Sequence, residues 1–136
     1  MGAGYSKRSL VDKLGIKPGF RVRLVNPPQG YETLLGALPD NVVLLDQLAS
    51  DLDFIHFFAV SRHELEAEFP TLAWQIKPNG MLWISWPKRA AKIETDLDEA
   101  VVREVGLAGG LVDVKVAAID QTWSGLKFVY RLRDRK

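Results

Sequence analysis

The side chains best suited to acid–base chemistry are His56 and His63, and neither stands in a catalytic constellation. His56 falls mid-strand with Phe54, Phe58 and Val60 on its own face, so period-two alternation makes it a hydrogen-bonded core histidine. His63 opens a helix beside Glu64 and Glu66, and helical spacing brings no second histidine to it, so no metal site is expected. The chain has no cysteine, which excludes disulfides, thiolate metal centres, iron–sulfur clusters and cysteine nucleophiles. Trp123-Ser124-Gly125 lacks the first glycine of a nucleophile elbow, and no phosphate-binding P-loop is present. The acids Glu94, Asp96, Asp98 and Glu99 could suggest a cation site, but the electrostatics of a helix start account for them. No catalytic residue is assigned, and neither a metal nor a cofactor is expected.

What remains suits binding. In an open α/β sheet, ligands sit outside the carboxyl ends of the strands. The strand ends here deliver Asn26 and Gln29, then Ser61 and Arg62, then Ser85, Trp86 and Lys88, while a hairpin loop adds Asp120, Trp123 and Ser124. From these, Asn26, Gln29, Ser61, Arg62, Trp86, Lys88 and Trp123 form the candidate ligand-binding set. Trp86 or Trp123 could stack on a planar molecule while Lys88 or Arg62 meets an anionic group, helped by the positive helix end near Ser61. The competing reading packs Trp86 beneath a helix, leaves Pro87-Lys88-Arg89 as a solvated turn, and uses Trp123 to pin the hairpin.

The elements that must position these residues follow from pattern. Ser9 caps a short helix through Leu14, with Gly15 as its stop. Arg21–Val25 is the first strand, and Tyr31, Leu34, Leu35 and Leu38 suit one face of a helix after Gly30. Val42–Leu45 is the second strand. From Asp46 to Asp53 there is too little chain for a crossover helix, so that strand is either short with an extended connection or antiparallel at an edge. Asp53–Val60 and Gly80–Trp86 are apolar on both faces, as central parallel strands are. Between them a Ser61/Glu64 capping box opens a helix through Leu65, Phe69, Leu72, Ala73 and Ile76, which Pro70 should kink or restart, and Lys77-Pro78-Asn79-Gly80 supplies a turn. Thr95 is read as the N-cap of a helix through Val101, Val102 and Val105 to Gly109-Gly110. Val112–Ile119 and Leu126–Leu132 then form a hairpin joined by Asp120–Gly125.

The whole is an open, doubly wound, mostly parallel α/β sheet of Rossmann-like type ending in an antiparallel hairpin, in a single domain over residues 1–136. Apolar content of 47% is enough for a real core, and a net charge of +1 gives no nucleic-acid signature. Met1–Arg8 is basic without a following apolar stretch, and the longest apolar run is far short of the ~20 residues a bilayer requires, so a cytoplasmic protein without membrane contact is expected. A small-molecule partner and a homo-oligomer are left open. The charges Lys115, Lys127, Arg131 and Arg133 look like guards of a hairpin edge.

Gly15–Gly19, the acid Asp46 at the end of strand two, and Ile76–Ser85 resemble a class I S-adenosylmethionine-dependent methyltransferase, trimmed of that family's third strand and its helix. The resemblance implies the fold, and with it a cofactor held at a glycine-rich loop after strand one. Here that loop reads Asn26-Pro27-Pro28-Gln29-Gly30, and each proline removes an N–H and fixes φ, so the expectation is a methyltransferase-like domain that does not transfer methyl groups. Adenine amino-methyltransferases carry Asn-Pro-Pro-aromatic, but after the family's fourth strand; here it follows the first, with Gln29 in the aromatic position. Over nearly its full length the chain also resembles an uncharacterised bacterial family, domain of unknown function thirty fifty-two. That likeness is carried by Lys13–Gly19, Asp53–Phe58, Ile84–Lys88, Asp113–Val116 and Asp120–Phe128, and it implies no catalytic residues.

Overall fold

The computed structural model describes residues 9–135; the basic segment Met1–Arg8 lies outside the described residues. In chain order the elements are α1 (Leu10–Leu14), β1 (Arg21–Val25), α2 (Tyr31–Leu35), β2 (Val43–Leu45), β3 (Leu52–Phe58), α3 (Arg62–Gln75), β4 (Ile76–Pro87), α4 (Glu99–Ala108), β5 (Leu111–Ala118) and β6 (Trp123–Tyr130). The strands form one six-stranded sheet in the order β2-β1-β3-β4-β6-β5. β2, β1, β3 and β4 are parallel, and β6 enters antiparallel between β4 and β5. This is the open, doubly wound architecture read from the sequence. The alternatives for β2 resolve to a short parallel edge strand whose connection to β3 contains no helix.

Period-two alternation divides the core into two layers. Ile55 and Phe57 of β3 with Ala59 just after it, Leu82, Ile84 and Trp86 of β4, and Leu126 and Phe128 of β6 meet Leu65, Phe69 and Leu72 of α3 and Val102 and Val105 of α4. The opposite face sets Phe54, Phe58 and Trp83 against Val11 and Leu14 of α1 and Tyr31 and Leu35 of α2. Being apolar on both faces is what lets β3 and β4 lie at the centre of the sheet.

Several boundaries differ from the sequence reading, each for a local reason. Thr95 does not cap α4: its hydroxyl donates to the Val60 carbonyl and accepts from the Leu97 N–H, so Asp98 takes the capping position and accepts from Val101. Lys77–Gly80 is no turn outside the sheet but part of β4. Leu52 pairs with Ile76 and Phe54 with Met81, so the segment bulges from the ladder, held by a Lys77–Asp53 ion pair at 3.0 Å. Pro70 does not restart α3, which runs without interruption from Arg62 to Gln75. Pro70 and Glu66 both lie on the exposed side, where water can satisfy the carbonyl that loses its partner. α2 ends at Leu35 because Gly36 turns at φ 82°, leaving Leu34 exposed. The hairpin loop is shorter than expected, since Asp120 Oδ1 accepts the N–H groups of both Thr122 and Trp123 and so brings Trp123 directly into β6.

α4 packs on β6 so closely that a Cβ built on Gly106 would lie 2.0 Å from the Phe128 ring. In an open helix Gly→Ala stabilises by about 1 kcal/mol. At this contact the sign reverses, and Gly106→Ala is expected to destabilise the protein by roughly 1–3 kcal/mol through overpacking, read as a lower urea midpoint. An unchanged or raised midpoint would show that the α4–β6 contact can relax.

Candidate functional site

The carboxyl edge of the sheet is built from the turns that leave β1, β3 and β4. After Val25 the chain enters the left-handed region at Asn26 (φ 57°), passes Pro27 and Pro28, and reaches Gly30 at φ 84°. Pro27 and Pro28 carry no N–H, and the Tyr31 N–H is taken by the Pro28 carbonyl at 3.1 Å. The Asn26 side chain donates to Glu64 Oε2 at 3.1 Å, which ties this turn to the first turn of α3. Gln29 is exposed.

The start of α3 is equally occupied. Ser61 Oγ accepts from the Glu64 N–H, while the Glu64 carboxylate turns to Asn26 instead of closing a capping box. Asp96 Oδ1 accepts from the Arg62 N–H at 2.8 Å, so the acidic run serves two helices: Asp98 caps α4 and Asp96 sits on the N-terminus of α3. The positive helix end suggested for an external anion thus already holds the protein's own carboxylate. The Arg62 guanidinium is spent on Glu66 at 2.8 Å and Glu104 at 3.0 Å; these bonds raise its pKa, keeping it charged.

Asn26, Ser61, Arg62 and Trp86 gather on the side of the edge that faces α3 and α4, but the paired-tryptophan rim does not assemble. Trp86 belongs to the core under α3 and α4, whereas Trp123 lies against the opposite core with its ring edge-on to Phe58 at 5.2 Å. Pro87 pairs with Trp123 and Trp86 with Ser124, so strand alternation sends the two indoles to opposite faces. Lys88 links the two strands through its backbone, donating to the Thr122 carbonyl at 2.7 Å.

Among the described residues a cleft of about 260 Å3 lies against the turn itself, lined by Pro27, Pro28, Gly30, Tyr31, Glu32 and Thr33, and two larger clefts open at this edge. One, of about 360 Å3, is lined by Trp86, Pro87, Arg89, Ile93, Thr95, Asp96, Leu97 and Asp98. The other, of about 380 Å3, lies between the ends of β1 and β2 and is lined by Leu24, Pro27, Glu32, Leu44, Leu45 and Asp46. Sequence reasoning missed Arg89 and Ile93, because the loop from 88 to 98 carries no periodic signal. Asp46, the acid at the end of strand two, lines the second cleft.

The buried polar groups are elsewhere. His56 is fully buried, as expected for a core histidine, and bridges Tyr31 Oη at 2.6 Å and Ser85 Oγ at 2.7 Å. In either tautomer one ring nitrogen donates and the other accepts. Burial pushes the His56 pKa down to about 3 and raises that of Tyr31, so both stay neutral. With Tyr31 2% exposed and His56 and Ser85 at 0%, all three groups are removed from water. Trp83 completes the layer by donating its indole N–H to the Leu14 carbonyl at 2.9 Å.

Solved structures with this arrangement of strands and helices share one fold. A SAM-dependent methyltransferase from Aquifex aeolicus matches with a TM-score of 0.56 and 19% identity over 88% of this chain and 86% of that one. A TehB-like SAM-dependent methyltransferase from Corynebacterium glutamicum gives 0.60 and 14% identity over 95% and 91%. Magnesium protoporphyrin IX methyltransferase from Synechocystis, with bound SAM, gives 0.61 and 15% over 90% and 74%. The fold is that of the SAM-dependent methyltransferases. No protein-family model and no curated protein sequence matches the chain. Identities at this level establish the methyltransferase fold alone, so the chemistry has to be argued from the side chains. Among the described residues no helix is long and apolar enough to cross a membrane.

His56 gives the site a pH signature. Its folded pKa of about 3 lies below the unfolded value of about 6.5, so the unfolded chain takes up a proton that the folded chain does not. The contribution is complete above pH 6.5 and is lost as pH falls from there toward 3, at up to roughly 1.4 kcal/mol per pH unit. Urea titrations of the wild type and His56→Gln between pH 7.5 and about 4 should therefore show a stability difference that narrows as the pH falls. A difference independent of pH would mean that His56 takes up its proton as readily in the folded chain as in the unfolded one.

Proposed function

We propose that this chain is a methyltransferase-fold domain that does not transfer methyl groups and acts by binding, through an opening at the carboxyl edge of its sheet. The observation that carries this reading is the Asn26–Gly30 turn. Where a backbone donor surface would hold a cofactor, two prolines have no N–H, the next helix N–H is spent on Pro28, and α2 is five residues long. The wall on one side is sealed by Asn26–Glu64 and Arg62–Asp96. The second cleft offers Glu32 and Asp46 as its charged groups, both acceptors when ionised. The buried His56 is removed from water. Isothermal titration calorimetry with S-adenosylmethionine and S-adenosylhomocysteine is the direct test. No heat of binding is expected with either at ligand concentrations up to about 1 mM, corresponding to less than roughly 4 kcal/mol of affinity; micromolar binding of either would sink the proposal.

The outer strand supports a second reading, association with another copy of the chain. β5 is an edge, and its Val114 and Val116 are 54% and 49% exposed. The lysines read as edge guards act differently in the folded protein. Lys115 donates to the Lys13 carbonyl at 3.0 Å, and Lys127 lies on β6, which is paired on both sides. β5 bulges at Val114, between Asp113 and Lys115, so the apolar stretch open to strand addition is the segment from Val116 to Ala118. Sedimentation equilibrium is expected to show dimers that Val116→Lys abolishes; a single-chain mass at high concentration would remove this reading.

A further inference from the structure

The cleft over Trp86 has a chemistry that the fold does not require. Its floor is apolar, made of Trp86, Pro87, Ile93 and Leu97, and its rim carries charges of both signs, Arg89 against Asp96 and Asp98. The two carboxylates each spend one oxygen on a helix, Asp96 on the Arg62 N–H and Asp98 on the Val101 N–H, and leave the other oxygen without a partner among the described residues. The Arg89 guanidinium likewise makes no ion pair or hydrogen bond among the described residues. Trp86 is 5% exposed, and its indole N–H, which has no acceptor among the described residues, is open to solvent, whereas the Trp83 N–H is satisfied by the Leu14 carbonyl.

We propose that this cleft binds a small zwitterion of amino-acid type, with its carboxylate on Arg89, its ammonium on Asp96 and Asp98, and its side group against Trp86 and Ile93. The proposal rests on the reading that the domain acts by binding, and it names the class of ligand. A purely anionic ligand would meet Arg89 but also two carboxylates; a purely cationic one would meet the carboxylates but also Arg89. A ligand carrying both charges on one carbon satisfies both sets, and guanidinium and carboxylate form the strong charge-assisted pair. The volume of about 360 Å3 falls at the lower end of the roughly 300–1,000 Å3 typical of small-molecule sites. The apolar floor, of which Ile93 is the well-exposed part, adds a preference for a ligand whose side group is aromatic or branched.

Three probes that share a phenyl ring separate the charges: L-phenylalanine carries both, 3-phenylpropanoate only the anion, and phenethylamine only the cation. Each is titrated into isotopically labelled full-length protein while the four tryptophan indole signals are followed by NMR, with the Trp86 signal assigned through bond connectivities. L-phenylalanine is expected to shift the Trp86 indole saturably and to bind about tenfold tighter than either analogue, the effect of one charge-assisted hydrogen bond. Arg89→Gln, at an exposed position, should reduce L-phenylalanine binding by a similar factor and leave the remaining spectrum unchanged. Absence of a saturable Trp86 shift up to about 10 mM, or equal binding of a singly charged analogue, would overturn the assignment. S-adenosylmethionine titrated in parallel keeps the two readings apart. Shifts at Gln29 and Gly30 would refute the claim about the methyltransferase cofactor position, whereas only the Trp86 and Arg89 signals bear on this cleft.

Discussion

The hydrogen-bond chain from Tyr31 through His56 to Ser85 is the constraint on which the rest of the structure depends. It joins α2, β3 and β4 in the interior at 2.6 and 2.7 Å, with all three groups removed from water. Each would cost roughly 1–3 kcal/mol if left unpaired, so the strands must keep the register and α2 must keep the seat that bring them together. Aromatic contacts reinforce the arrangement: His56 stacks on Phe58 at 4.1 Å, and Tyr31 meets both rings edge-on. Tyr31 directly follows Gly30. The Asn26–Gly30 turn therefore has to deliver a tyrosine into the core one residue after it ends, and its left-handed Asn26 and Gly30 with two fixed prolines between them are a means of doing so. In this chain the segment that follows β1 is an anchor for the core.

The same economy governs the helix ends. An α-helix presents unpaired N–H groups and positive potential at its start, which an anionic ligand could use. Here the protein supplies its own acceptors, with Ser61 and Asp96 on α3 and Asp98 on α4. Asp96 lies in the loop that precedes α4, so its bond to Arg62 fastens that loop to α3, and Thr95 adds a second tie to the Val60 carbonyl. The loop is thereby held over Trp86. A pocket wall whose regular structure is a single 3-10 turn, Arg89–Ala91, is fixed by side chains that bond to the neighbouring helix and to Val60 just after β3.

How much of this was legible in the sequence depends on whether a residue's role was local. Ser9 and Gly15 bound α1, Arg21–Val25 is β1, and His56 is a bonded core histidine, because alternation and caps are encoded within a few residues. Thr95 and Asp98 could each cap a helix by type; the choice was made by the Val60 carbonyl, 35 residues away along the chain. Lys77-Pro78-Asn79-Gly80 has turn composition, yet the ion pair with Asp53 and the close approach of Gly80 to the Leu52 carbonyl keep it in the sheet as a bulge. Of the candidate site, Trp86 does reach a cleft, but the polar groups of Asn26, Ser61 and Arg62 are committed to Glu64, Asp96, Glu66 and Glu104. The failure over Trp123 was one of register. A residue at the mouth of a hairpin changes face if the turn shortens, and Asp120 shortens it.

The two larger clefts at the carboxyl edge then differ in kind. Between β1 and β2 the lining pairs Leu24, Leu44, Leu45 and Pro27 with the acids Glu32 and Asp46, and β2 itself is a three-residue edge strand with Val43 and Leu44 nearly half exposed. Such a wall has one ladder to hold it, and an edge strand this short opens more readily than a central one. The cleft over Trp86 rests on β4, which is paired on both sides, and its outer wall is fastened by Thr95, Asp96 and Asp98. Binding sites built on rigid, doubly paired strands hold their geometry without a ligand, which lowers the ordering cost of association. Of the two openings, the one over Trp86 is the preorganised one, and the unspent donors and acceptors on its rim are where selectivity among ligands would arise.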